Sequence, residues 1–431
     1  MDGSAHATST AATGEAESAY AWVRLMASLL LGAIGSIGFW AVVVTLPAVQ
    51  ADFKVARADA SLPYTLAMVG FGLGGVVIGR LVDRFGIVLP VVWATLVLGL
   101  AFMASAAAPN MTTFAVANLV IGFGCSATFA PLVADISHWF TRRLGIAVAI
   151  CAAGNYLGGA VWPPIVQGML DGNIWPAEAR SALAAWGWSA AGWRQTQVVI
   201  GVACIAAMLP LTAVLRRRLA THQTEAAATM AGGSRASLGL HPYALFALLC
   251  VAGVACCVAM AMPQVHIVAY CGDLGYGVAR GAEMLSLMLG FGIVSRIASG
   301  FVADRIGGVA TLLIGSVLQG VALFLYLLFD GLASLYVISA LFGLFQGGIV
   351  PMYAVIVREY FPPKMAGTLV GLVIMSTIAG MALGGWLSGV IFDSTGGYTL
   401  AFAHGLAWNV LNGAIALFLL LRRNRLRLAA A

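Results

Sequence analysis

Arg296 lies inside a long apolar block, eight residues and so about two helical turns before Asp304. A guanidinium keeps its proton at any physiological pH, and its flat fork matches the geometry of a carboxylate. Setting such a cation at the centre of an apolar helix costs about 2.5–3.5 kcal/mol on insertion scales. Arg296 therefore needs a water-filled cleft that admits an anion, or a fixed acid on a neighbouring helix. The one acid expected to be buried at all within the apolar blocks is Asp135, near the end of its own block. His266, flanked by Gln264 and Tyr270, is a second candidate. An imidazole with an ordinary pKa of about 6.5 suits proton exchange, and it serves equally as an interface residue bonded to a neighbouring helix. Asn118, Asn155, Tyr156, Gln346 and Tyr353, with Tyr64 and Asn412, supply further polar groups in apolar surroundings. Such groups orient a carboxylate or hydroxyl, or they bond helix to helix.

The elements that hold these residues are membrane spans. Only 9% of the 431 residues are charged, against about 25% in an ordinary soluble domain. The apolar residues come in blocks of the ~20-residue length that a bilayer crossing requires. Twelve blocks are expected, the first at about 22–48 and the last at about 399–421. The fold class expected is all-α, a polytopic membrane protein with twelve transmembrane helices in two pseudo-symmetric six-helix bundles. The divisions expected are a disordered tail at 1–20, a first bundle at 21–215, a linker at 216–242, a second bundle at 243–421 and a basic tail at 422–431. With both termini cytoplasmic, sixteen of the 22 Lys and Arg residues fall inside and five outside, Arg57 and Arg194 among the five. That bias fixes the orientation by the positive-inside rule. The segment 169–194, with Trp175, Trp186, Trp188 and Trp193, reads as a loop at the lipid headgroups. No charged-then-apolar leader precedes the first block. The seven cysteines form no CxxC pair and read as small packing residues.

The chain repeats itself at an offset of 221 residues. Gly79-Arg-Leu-Val-Asp83-Arg84-Phe-Gly86 resembles Gly300-Phe-Val-Ala-Asp304-Arg305-Ile-Gly307, Trp139-Phe140 maps to Tyr360-Phe361, and Gly122 maps to Gly343. One shift that aligns separate places indicates duplication of a six-span unit. In the Gly-x-x-x-Asp-Arg-x-Gly loops, Gly79 and Gly300 allow close helix contact, and Gly86 and Gly307 allow the turn. Asp83 and Asp304 are placed to meet a neighbouring helix N-terminus and nearby arginines, Arg84 and Arg305 among them. Contacts made in one access state and broken in the other would make these residues a gate. Loop anchoring at the membrane surface is the plainer alternative. Asp135 with His138 and Arg142 fits a latch at the same surface, or a proton carrier.

These motifs resemble the major facilitator superfamily over nearly the whole chain. Within it, several stretches are similar to the branch of monocarboxylate transporters and oxalate–formate exchangers. They are Gly122-Phe-Gly124 leading to Pro131, Trp139 through Gly145, Gly192-Trp193-Arg194, Pro263-Gln264-Val-His266, Ser295-Arg296 through Gly300, and Phe392-Asp393-Ser-Thr-Gly396. The resemblance implies carriage of small carboxylates with a proton or in exchange, the arginine at the place of Arg296 anchoring the carboxylate. Oxalate exchangers pair that arginine with a lysine in span 11; here the stretch from Gly367 to Phe392 has no Lys or Arg. One fixed cation suits a monocarboxylate better than a dicarboxylate. Animal monocarboxylate transporters carry an aspartate where this chain has Gly292, and a lysine in span 1, where Met26 to Val49 is uncharged. Bacterial members similar to this chain have a cavity-facing histidine at the place of His266.

The function expected is secondary active transport of a small organic anion, a monocarboxylate first, across the inner (plasma) membrane by alternating access, with a proton. An anion exchanger or a drug or metabolite exporter of the same fold is the alternative, and a non-transporting membrane sensor the remote one. The partners expected are a small carboxylate, H+ and the lipid bilayer. No cofactor, metal or nucleic acid is expected, and a monomer is sufficient. No HExxH, GxSxG, Walker A or paired CxxC pattern supports an enzyme.

Overall fold

The computed structural model describes residues 17–140, 143–185, 189–217 and 238–430. Twelve helices are long and apolar enough to cross a membrane. In chain order they are α1 (Ala19–Phe53), α2 (Arg57–Phe85), α3 (Val88–Ala106), α4 (Met111–Trp139), α5 (Leu144–Leu170), α6 (Trp193–Arg216) and α7 (Pro242–Asp273). Then follow α8 (Val278–Ile306), α9 (Gly308–Leu328), α10 (Leu332–Tyr360), α11 (Pro363–Thr395) and α12 (Thr399–Ala430). Long apolar blocks take this form because each backbone N–H and C=O finds its partner within the same helix, which hydrocarbon demands. Phe301, Val337 and Val410 are each at least 60% exposed on the outside of the assembly, where lipid rather than water suits them.

Each helix pairing in the first half has its counterpart six helices later. The α2–α4, α3–α6, α3–α4 and α1–α5 contacts reappear as α8–α10, α9–α12, α9–α10 and α7–α11. The halves meet along α2–α11 and α5–α8, which also exchange under the six-helix shift. The repeat extends to single atoms. A Cβ on Gly122 would lie 1.9 Å from the Ala67 carbonyl oxygen, and one on Gly343 would lie 1.9 Å from that of Met288. Both pairs obey the 221-residue offset. One pair of helix breaks follows it too, α4 being interrupted at Ser126–Phe129 and α10 at Gly347–Gly348, whereas the breaks at Ser36 in α1 and Ala153 in α5 have no counterpart in α7 and α11.

The two motif loops turn as expected. Gly86 and Gly307 close α2 and α8 with φ of 76° and 87°, the left-handed region where glycine is unstrained. At this motif end the halves stand apart. The six glycines Gly75, Gly79, Gly145, Gly300, Gly367 and Gly371, spread over α2, α5, α8 and α11, all face open space. The close helix contact expected at Gly79 and Gly300 is thus absent in this conformation. Asp83, Arg84, Asp304 and Arg305 are exposed. Neither aspartate forms an ion pair among the described residues.

The opposite end is closed. Asp393 at the end of α11 accepts hydrogen bonds from the first backbone N–H groups of α2, Arg57 at 2.9 Å and Ala58 at 2.7 Å. It caps a helix of the other half, where unpaired donors and the positive end of the dipole favour a carboxylate. Arg57, expected as a loop residue, is 6% exposed. Its guanidinium donates to the Tyr398 hydroxyl at 2.6 Å and pairs with Asp273 at 3.1 Å. Thr65 donates to the Ala382 carbonyl across the same seam.

Other parts of the chain differ from expectation for local reasons. Trp193 is 6% exposed and donates to Asp52, so it packs inside the first half rather than at headgroups. Trp186, Trp188 and Arg142 lie outside the described residues, as do residues 1–16 of the tail and 218–237 of the linker. A short helix, Ala177–Ala185, sits in the segment between α5 and α6. The basic stretch from Arg422 continues α12 instead of forming a separate tail. There Arg423 donates to the Ile306 carbonyl at the end of α8, a favourable place for a cation.

Candidate functional site

Arg296 projects from α8 toward α5 of the other half. Its Nη1 donates to the Ala152 carbonyl at 3.1 Å, beside the break of α5 at Ala153. Its Nε points at the Gly347 carbonyl, 3.4 Å away in the break of α10. That carbonyl lacks its usual helical donor because the residue four positions on, Pro351, has no N–H. The guanidinium carbon stands 4.3 Å from the centre of the Tyr156 ring, a cation–π contact. Among the described residues no Asp or Glu pairs with Arg296. Its side chain is only half-buried. Among the described residues, its bond to Ala152 is the hydrogen bond between the halves nearest the motif end.

Tyr156 reaches this position through a glycine. Its ring atoms lie 2.3 Å and 2.5 Å from where a Cβ on Gly292 would be. A side chain at position 292 and the ring over Arg296 exclude one another. Asn155, next in the chain, carries a buried Oδ1 with no hydrogen-bond partner, and so does the Nε2 of Gln346 beside Gly347. Gln346 accepts from Gln264 at 2.8 Å. Arg296, Tyr156, Asn155 and Gln346 thus come from the α5–α8 contact and the α10 break beside it.

The remaining sequence candidates lie elsewhere. Asn118 donates to the Phe114 carbonyl of its own helix. Tyr353 donates to Asn412, which donates to Ser316, in a network inside the second half. His266 is fully buried: Nε2 lies 2.8 Å from the Gly385 carbonyl and Nδ1 lies 3.2 Å from the Tyr398 hydroxyl. It belongs to the closed end. Asp135 is held by Arg24 of α1 through two bonds of 2.7 Å. Arg24 also donates to the Arg217 carbonyl at 3.0 Å, so this cluster ties together helices of one half. It leaves Asp135 engaged and unavailable to Arg296. Sequence reasoning missed Arg24, Arg57, Asp273 and Tyr398. Asp393 was visible only as part of a family-like stretch.

The profile of the Major Facilitator Superfamily matches residues 28–333 and again 245–430. The chain belongs to the Major Facilitator Superfamily. Members of this superfamily are transporters rather than enzymes, and with its twelve apolar helices the chain is a multi-pass membrane protein. It is 28% identical over 288 residues to "Monocarboxylate transporter 13" of Rattus norvegicus. That match spans 66% of this chain and 62% of the rat protein, less than two thirds of the relative's own length. It is 24% identical over 362 residues to the "Aspyridones efflux protein apdF" of Emericella nidulans, covering 82% of this chain and 66% of that one. Among solved structures, a bacterial homolog of the human lysosomal transporter Spinster superposes with a TM-score of 0.73 at 14% identity. The superposition covers 93% of this chain and 96% of that one, and it shows that the superfamily fold is shared.

Proposed function

We propose that this transporter carries a small organic anion, a monocarboxylate before others, with Arg296 as the anchor of its carboxylate. The carrying observation is a half-buried guanidinium with no acid among the described residues against it, set between the halves where they begin to part. Two converging carbonyls and an aromatic face orient the fork but leave its charge uncompensated. A carboxylate supplies the missing charge and a bidentate partner. The unpartnered Oδ1 of Asn155 and Nε2 of Gln346 offer one acceptor and one donor to the rest of a substrate. The relatives named as monocarboxylate transporters support the same class of cargo.

The reading orients the motif end to the cytoplasm, on the Lys and Arg distribution, so this conformation is open inward. It makes the process alternating access, with a proton accompanying the anion. The gate residues proposed at the motif end are Gly79, Asp83, Arg84, Asp304 and Arg305, which would meet when that end closes. Asp135 stabilises this end from within one half, and Arg142 completes the set expected there. Export of a larger metabolite is the second reading, favoured by the relatives named as efflux proteins.

Counterflow in proteoliposomes separates these readings. Short-chain monocarboxylates should exchange, while their neutral amides and dicarboxylates should not. Acidifying one side should drive net uptake of the anion. Transport of bulky neutral metabolites with indifference to carboxylates would establish the export reading instead.

A further inference from the structure

We propose that Arg57, Asp273, Asp393 and Tyr398 form a latch across the closed end, and that the latch holds His266 neutral, so that opening this end and protonating His266 go together. The inference rests on the alternating-access reading but not on the identity of the substrate.

The geometry fixes where the protons lie. The Gly385 carbonyl can only accept, so the Nε2 of His266 at 2.8 Å must carry a hydrogen. Arg57 can only donate, so the Tyr398 oxygen accepts from it at 2.6 Å. The Tyr398 hydrogen is then free to point at Nδ1, 3.2 Å away, where the neutral ring presents an acceptor. The chain of donors runs Arg57 to Tyr398 to His266 to Gly385, with the imidazole in its neutral Nε2–H form.

A second proton on Nδ1 would face the Tyr398 hydrogen and would place another cation near the Arg57 guanidinium. The charged groups around His266 are Arg57 from α2, Asp273 from the end of α7 and Asp393 from the end of α11. The nearby titratable hydroxyls are Tyr398 from α12 and Tyr270 from α7 itself. Neither carboxylate is free to balance an imidazolium. Asp273 is paired with Arg57, and Asp393 is spent on the N-terminus of α2. When the halves part at this end, α2 carries Arg57 away from Tyr398 and both aspartates. The hydroxyl then regains a free lone pair, the carboxylates are released, and Nδ1 can take a proton. By linkage, the state that binds the extra proton is favoured at low pH. The latched state is favoured at high pH and the opened state at low pH.

Double electron–electron resonance on the full chain in nanodiscs tests this without any substrate. Spin labels at Ala51→Cys and Leu400→Cys report on the two halves at the latch end, both positions being exposed. Cys250→Ser removes the one native cysteine that is not buried. The parent protein should give a short distance one pH unit above ~6.5, and a growing longer population one unit below it. Arg57→Gln and Asp393→Asn should show the longer population at both pH values. His266→Gln keeps a donor for Gly385 and an acceptor for Tyr398 but cannot titrate, so it should keep the short distance and lose the pH response. Tyr398→Phe serves where Arg57→Gln does not fold, and should also populate the longer distance. Unchanged distances in Arg57→Gln, Asp393→Asn or Tyr398→Phe would overturn the latch. A pH response that survives His266→Gln would overturn the link to the proton. Failure of anion transport leaves these distances untouched, so the two proposals fail separately.

Discussion

At the scale of single residues, Arg296 depends on Tyr156, and Tyr156 depends on having no side chain at Gly292. Gly292→Asp should displace the ring and hand Arg296 an internal counter-ion, reducing anion binding. Tyr156→Phe should bind the anion nearly as well as the parent, because the ring face is kept; Tyr156→Leu should weaken binding by up to roughly 30-fold, the loss of about 0.5–2 kcal/mol of cation–π attraction. Equilibrium binding of a labelled monocarboxylate to the purified variants checks all three. Arg296 was legible in the sequence because a cation in an apolar helix is costly and so demands a reason. Arg57 was not, because it starts its helix beside a loop, and its side chain is buried against Asp273 and Tyr398, 216 and 341 residues away. The Arg24–Asp135 pair was half legible: the acid stood out, but its partner was only one of the sixteen inside cations. Its two charges are 2% and 14% exposed. Asp135→Asn should therefore lower stability by about 3–5 kcal/mol, and Arg24→Met with Asp135→Leu should recover most of it. Thermal unfolding followed with a thiol-reactive dye measures this well, since nearly all the native cysteines are buried until the fold opens.

At the scale of elements, the offset of 221 residues turns one helix contact into two. Gly122 on Ala67 and Gly343 on Met288 leave no room for a methyl group. Gly122→Ala and Gly343→Ala should each destabilise by about 1–3 kcal/mol, by similar amounts, in the same dye assay. A large loss at one site with none at the other would mean the halves are not equivalent in packing. The helices themselves were legible from apolar block length, and the duplication from three separate matches. Helix breaks were not. Those in α4, α5 and α10 interrupt blocks that are each long enough for one continuous span, and only Pro131 and Pro351 hint at two of them. Yet the breaks at Ala153 and Gly347 sit beside the carbonyls that orient Arg296. Half the site's geometry therefore comes from backbone, on which side-chain pattern is silent.

At the scale of the whole molecule, the two halves touch from the latch to Arg296 and part beyond it. The glycines and charged loops of the motif end await contacts that this conformation lacks. Closing that end should bring Asp83 and Asp304 toward neighbouring helices and occlude Arg296. Substituting Gly79 with Leu should then impair transport while leaving thermal stability close to that of the parent, because nothing lies within 4 Å of this glycine in the open form. A comparison of uptake with unfolding temperature checks it. Sequence alone gave no access to the conformational state, because the loops bear the same residues whether engaged or apart.

The most direct test is saturation binding of a radiolabelled short-chain monocarboxylate to the purified parent protein, to Arg296→Gln and to Arg296→Lys, with the neutral amide of the same acid as competitor. Arg296→Gln should bind at least about tenfold more weakly, the loss of a charged hydrogen-bonded pair of some 1.5–3 kcal/mol. Arg296→Lys should restore little of that, and the amide should not compete. Parent-like affinity in Arg296→Gln, with the protein folded, would contradict the assignment of Arg296 as the carboxylate anchor.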